Sequence, residues 1–168
     1  HLCRRYGKLH ILKSLQPFYS SQEFYKQLLL KEFNIGYQLD HPNIRHTLGW
    51  EKNDLLGNYI VLEYIDGIPL TTFIEQGKLT QPLAYKFITE ICNALQYIHS
   101  KQLIHKDLKP NNILITHNGN NVKLIDFGLA DCDDYEILKI PAGTEKYLAP
   151  EQLNPNATLD CRTDIYSL

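Results

Sequence analysis

The 168-residue sequence contains no methionine. An initiator is therefore absent, and His1 is expected to lie inside a longer open reading frame or to follow a removed segment. No apolar run approaches the roughly 20 residues that a membrane-spanning helix needs, and the N-terminus lacks the charged-then-apolar pattern of a secretory signal. Cys3, Cys92, Cys132 and Cys161 include no Cys-x-x-Cys pair. That spacing argues against a zinc site or a disulfide framework and suits a reducing, cytoplasmic compartment. Basic charge is not in excess either: the formal net charge of −2 leaves no electrostatic footprint for nucleic acid or an anionic membrane. There is no internal repeat and no low-complexity tract. With 43% hydrophobic and 21% charged residues, the chain has an ordinary globular composition. Its length suits one compact domain or two small lobes.

What is present is concentrated between Leu103 and Glu151. Ile104-His105-Lys106-Asp107-Leu108-Lys109-Pro110-Asn111-Asn112 is followed by Ile125-Asp126-Phe127-Gly128 and then by Ala149-Pro150-Glu151. Each motif alone is weak, and the information lies in their order and spacing. Ile113-Leu114-Ile115 and Val122-Lys123-Leu124-Ile125 flank His117-Asn118-Gly119-Asn120-Asn121, and Asn-Gly supplies the positive dihedrals of a tight hairpin. Such a hairpin brings Asn112, before its first strand, near Asp126, after its second. Two oxygen ligands then stand side by side, suited to a hard cation such as Mg²⁺. Asp107 could orient a hydroxyl and Lys109 could meet a phosphate, which is the minimal equipment for phosphoryl transfer.

The N-terminal part offers a charged pair. Leu9–Leu15 reads as a strand whose alternation puts Leu9, Ile11, Lys13 and Leu15 on one face. Ser20 and Glu23 form a capping box opening a helix whose stripe is Phe24, Leu28, Ile35 and Leu39, with Glu32 falling on it. A lysine and a carboxylate on facing apolar surfaces make a natural pair, because either one buried alone costs several kcal/mol. Lys8 competes with Lys13 for this assignment. Tyr59–Gly67 reads as a buried strand running into a glycine turn. Thr80 caps a helix with Pro82 in its first turn and an apolar stripe of Ala84, Phe87, Ile88, Ile91, Leu95 and Ile98.

The ordered motifs resemble the catalytic core of a eukaryotic-type protein kinase of the serine/threonine class. The resemblance implies an α+β, two-lobed fold: a small, mostly β N-lobe over residues 1–65 and a larger, mostly helical C-lobe over residues 66–168, both partial. It implies transfer of the ATP γ-phosphate to a serine or threonine of a protein substrate, with ATP and Mg²⁺ required. By the same resemblance Asp107 meets the substrate hydroxyl, Lys109 steadies the γ-phosphate, and the Thr144 hydroxyl reaches toward both. Lys13 holds the α- and β-phosphates with Glu32 as its helix partner. The Glu63 carbonyl and the Ile65 amide meet adenine, and Asn112 and Asp126 hold the metal. Leu62 guards the rear of the pocket, and His105 is a packing and hydrogen-bonding residue. Lys109-Pro110 and Gly143-Thr144 favour the serine/threonine class.

The chain also departs from the family pattern. The glycine-rich phosphate loop that precedes the Lys13 strand is absent from these residues, and Asp164–Leu168 resembles the start of the helix that anchors the catalytic loop, after which the sequence stops. The expectation is a core truncated at both ends and inactive in isolation, with apolar surface exposed on the Ala84–Ile98 helix and at Tyr166–Leu168. Ile11 crowds the adenine pocket. Gly36 stands where an apolar side chain usually joins the stack of Phe127 and His105, which leaves the Glu32 helix loose or held by a regulatory partner. Between Gly128 and Gly143 the only hydroxyl is Tyr135, among Asp131, Asp133, Asp134 and Glu136. Activation is therefore expected not to require phosphorylation there: the acidic residues or a partner bias that segment, or Lys106 grips one of its carboxylates as a structural contact. Two other functions remain open: a pseudokinase acting as a binding or scaffolding module, and a small-molecule kinase sharing the Asp-x-x-x-x-Asn loop.

Overall fold

The computed structural model describes residues 1–128, 130, 145–154 and 156–168. Up to Glu63 the chain forms strands β1 (Leu2–Arg5) and β2 (Lys8–Ser14), a one-turn helix α1 (Pro17–Ser20), helix α2 (Glu23–Tyr37), and strands β3 (Thr47–Asn53) and β4 (Gly57–Glu63). The strands make an antiparallel sheet in the order β1-β2-β4-β3. Alternation along β2 divides its side chains as the sequence implies. Ile11 and Leu15 join Leu29 of α2 with Ile60 and Leu62, whereas Leu12 faces the other way, onto Tyr59 and Val61. Lys13 shares the α2-facing side, opposite Ile60 in the register.

The start of α2 differs from expectation. Pro17 opens a separate turn, α1, and Ser20 lies at its end with Oγ donating to the Pro17 carbonyl at 2.7 Å. Gln22 takes the N-cap of α2 without a side-chain bond, so the Ser20–Glu23 capping box does not form. Leu29, Glu32, Ile35 and Gly36 are the buried residues of the helix, and Leu39 is buried just past its end. Gly36 has a reason inside the fold: a Cβ there would collide with Thr47 Oγ1, so the glycine lets α2 lie directly on β3.

Across the open side of the sheet, Arg5 forms a bidentate pair with Glu51 at 2.6 Å for each bond, and the Tyr59 hydroxyl also donates to Glu51. The Arg5 and Tyr59 hydrogen bonds hold the Glu51 carboxyl at about 2, below its ordinary 4.5. A depressed carboxylate adds stability that is fully present above its unfolded value and lost as pH falls toward the folded one. Glu51→Gln is accordingly expected to remove a component of acid unfolding between about pH 4.5 and 2. Thermal melts of both proteins across that range check it: the wild-type advantage should shrink as pH falls.

Beyond Glu63 lie β5 (Gly67–Pro69), α3 (Leu70–Glu75), α4 (Gln81–Ser100), β6 (Ile113–Thr116), β7 (Val122–Leu124) and α5 (Arg162–Ser167). The strand read through to Gly67 ends at Glu63, and Gly67 opens β5. A Cβ on Gly67 would run into the Ile115 carbonyl, so the residue serves a close approach of β5 to β6 and not a turn. The expected hairpin forms with Ile113 opposite Leu124, and its turn carries positive φ at Gly119 and Asn120. On α4 the buried stripe is Phe87, Ile91, Ala94, Leu95 and Ile98. Ile88 lies one residue round the helix and is exposed, as are Tyr85, Ile165, Tyr166 and Leu168. Thr80 occupies the N-cap without a side-chain bond.

The two halves share one apolar cluster, in which Ile35, Leu39 and Ile44 meet Ile98, Leu108 and Phe127. Asn43 pins them together. Its backbone accepts from Leu124 N at 2.7 Å, and its amide donates to the Val122 carbonyl and to Glu90. Among the described residues no helix is long and apolar enough to cross a membrane.

Candidate active site

β2 and α2 present Lys13 and Glu32 to one another at 2.6 Å, and the same ammonium reaches Asp126 Oδ1 at 2.8 Å. Lys13 rather than Lys8 is thus the partner of Glu32. Burial works to lower the Lys13 ammonium, but Glu32 and Asp126 overcome it and leave Lys13 above its ordinary value. Burial lifts Glu32 above the usual carboxylate range, with Lys13 opposing and Asp126 adding to the lift. Asp126 is pushed up by burial as well, yet Lys13 more than offsets this and holds it low. Asp126 also has a φ of 66°, in the left-handed region that costs a non-glycine residue energy. In this conformation, two residues past the end of β7, its carboxylate meets Lys13.

A second cluster lies on the loop before β6. Lys109 Nζ contacts both Asp107 oxygens at 2.8 Å. The Asn112 amide donates to the Asp107 carbonyl at 2.8 Å and to its Oδ2 at 2.7 Å. The clusters are joined through the backbone, since Ile125 N donates to the Asn112 carbonyl at 3.0 Å. This is the juxtaposition of Asn112 and Asp126 that the hairpin spacing implies. With its nitrogen committed to Asp107, Asn112 keeps Oδ1 for a cation. An amide oxygen and a carboxylate fit Mg²⁺, which binds few protein oxygens and completes its shell with water and phosphate.

Beneath both clusters the loop is held by a buried carboxylate. Asp164, fully enclosed at the start of α5, accepts from His105 N and Lys106 N at 2.9 Å each and pairs with His99 Nε2 at 2.8 Å. The His105 ring packs on Phe127 with 4.9 Å between centroids. Its Nδ1 accepts from Asp107 N and its Nε2 faces the Ile125 carbonyl, both at 3.3 Å, which assigns the ring proton to Nε2. His105 is therefore a structural residue here, as its apolar neighbour Ile104 indicates. Gln152 adds a further tie, donating to the Lys106 carbonyl at 2.8 Å while accepting from Ala149 N. Lys106 itself has a φ of 64° and is buried.

Sequence reasoning did not find the roles of His99, Gln152 and Asn43. Only Asn43, directly after Pro42 in the His-Pro-Asn run, carried a local signal. Glu63 and Ile65 line a separate cavity of about 540 Å³, apart from the one lined by Lys13 and Asp126. The Ile65 amide forms no hydrogen bond among the described residues, so it is free to meet a ligand. Ile11 and Leu62 line the Lys13 cavity together. Thr144, Tyr135 and the acidic run around Tyr135 lie outside the described residues.

Residues 3–168 match the protein kinase domain family. The chain is 34% identical over 170 residues to a probable serine/threonine-protein kinase of Clostridium perfringens (strain 13 / Type A), covering 99% of this chain and 24% of that protein. It is 33% identical over 164 residues to the serine/threonine-protein kinase ppk25 of Schizosaccharomyces pombe, covering 96% of this chain and 38% of that protein. To the serine/threonine-protein kinase PrkC of Bacillus subtilis it is 34% identical over 163 residues, with 94% and 24% covered. The chain thus spans from about a quarter to two fifths of the length of these relatives. With a match across nearly its whole length and the Lys13–Glu32–Asp126 triad beside Asp107 and Asn112, the chain belongs to the protein kinase domain family.

Proposed function

We propose that the protein transfers the γ-phosphate of ATP to a serine or threonine hydroxyl of a protein substrate. The observation that carries this reading is the single ammonium, Lys13, held between Glu32 and Asp126 at 2.6 and 2.8 Å, one backbone hydrogen bond away from the Asp107–Lys109–Asn112 cluster. In this reading Asp107 orients the substrate hydroxyl and takes its proton, and Lys109, already at its carboxylate, moves onto the γ-phosphate as nucleotide enters. Lys13 positions the α- and β-phosphates while Glu32 keeps it in place. Thr144 completes the hydroxyl side, and the Glu63 carbonyl and Ile65 amide take the adenine edge. Asn112 and Asp126 would hold Mg²⁺, which supplies charge neutralisation for the transferring phosphate.

The serine/threonine class is supported by the relatives' names. A cytoplasmic setting is supported by the free thiols of Cys3, Cys92 and Cys161. Control through a partner at α2, without phosphorylation of Tyr135, fits the exposed Leu30 and Tyr37 on that helix. The reading is tested by incubating the full-length protein with γ-labelled ATP and peptides presenting serine, threonine or tyrosine, with and without Mg²⁺. Label on serine or threonine only when Mg²⁺ is present is the expected result. Nucleotide binding without any transfer would replace the reading with a scaffolding role, and transfer confined to small-molecule alcohols would replace the substrate class.

A further inference from the structure

We propose that Arg45 is a second cation of the nucleotide site, donating to the phosphate groups of a bound nucleotide beside Lys13. The inference rests on the phosphate-transfer reading above. Arg45 lies between α2 and β3, where its amide donates to the Leu124 carbonyl at 2.9 Å and the preceding Ile44 bridges to the same residue. This anchor places it beside the segment that continues into Ile125 and Asp126. Arg45 lines one cavity with Ile11, Lys13, Leu62, Ile125 and Asp126. The volume, about 330 Å³, is in the range of small-molecule sites.

The two cations of this cavity are engaged very differently. Lys13 is committed to two carboxylates. Among the described residues, the Arg45 side chain forms no hydrogen bond and no ion pair. Asp126, Glu32 and Glu63 attract it through space, but Glu32 is held by Lys13, and Glu63 is held by Lys123 and the His46 amide. Burial pulls the Arg45 guanidinium below its ordinary value. Its N–H donors therefore have no acceptor among the described residues and are left open to an anion entering the cavity. The planar guanidinium fork matches two phosphate oxygens. Charge balance points the same way. Glu32 and Asp126 balance Lys13 and Arg45, whereas Lys13 alone leaves the two carboxylates with one negative charge in excess.

The test compares binding of ATP, ADP and adenosine to the full-length protein and to Arg45→Met and Arg45→Lys, in EDTA so that no metal contributes. Arg45→Met should weaken ATP and ADP roughly tenfold, as expected for a charge-assisted bond, while adenosine changes by less than about twofold. Arg45→Lys should fall between, because it retains charge but loses the fork. Equal weakening of adenosine would assign Arg45 to the cavity wall and overturn the proposal, as would unchanged or tighter ATP binding. Arg45→Gln provides the same comparison if the methionine variant fails to fold. Wild-type protein that binds no ATP either in EDTA or with Mg²⁺ restored would sink the phosphate-transfer reading itself, whereas a wild type that binds ATP only with Mg²⁺, or without any help from Arg45, would overturn the Arg45 proposal alone.

Discussion

Asp107→Asn is expected to lower turnover by roughly 10² to 10⁴ while nucleotide affinity changes little. The carboxylate of Asp107 contacts Lys109 and Asn112 and nothing on the Lys13 side of the site. An asparagine keeps the shape of that cluster but cannot take the proton of a hydroxyl, so the loss belongs to the chemical step. Asp126→Asn should behave differently. Asp126 pairs with Lys13 and is the carboxylate available to a cation, so its amide variant should lose Mg²⁺-dependent transfer altogether and weaken metal-dependent nucleotide binding. Initial rates against ATP concentration, at several Mg²⁺ concentrations, separate the two. Normal turnover in Asp107→Asn would show that Asp107 has been given the wrong role.

Asp164→Ala should be the most damaging change outside the site. The carboxylate is fully buried and is the acceptor for two buried amides, those of His105 and Lys106, as well as the partner of His99. Each amide left without an acceptor costs roughly 1–3 kcal/mol, a large share of a domain stability of about 5–15 kcal/mol. The loop carrying Asp107 would lose the contacts that hold its left-handed residue, Lys106, in place. Denaturant unfolding should show a much lower midpoint, and hydrogen exchange should show the His105 and Lys106 amides opening. Asp164→Asn, which retains one acceptor oxygen, should lose less. Full protection of both amides in the alanine variant would mean that the loop is held by other contacts.

The reach of the sequence was greatest where distance along the chain limits distance in space. Asp107 and Asn112 lie on one short loop, and Asn112 and Asp126 flank a tight hairpin, so local geometry had to bring these residues together. Alternation on β2 put Lys13 on the face of Ile11 and Leu15, and the stripe of α2 put Glu32 inward. Burial then made each the cheapest partner for the other. The same reasoning failed at helix starts. Ser20, Glu23 and Thr80 are sound capping residues by type, but Pro17 made its own turn and displaced the first cap. Ile88, on the apolar stripe of α4, lies outward, which agrees with the apolar surface expected on that helix.

What the sequence by itself determined was the inventory of reacting groups and the two local clusters that spacing enforces. Tertiary structure alone decided that the Lys13 ammonium also reaches Asp126, that His99 joins Asp164 beneath the loop, and that Arg45 lines the same cavity. Gly36, out of place by pattern, proved to be the point where α2 rests on Thr47. The physical reason is the same in each case. These contacts join side chains on different elements, and no periodicity or turn preference records which surfaces meet when strand, helix and loop pack around a shared core.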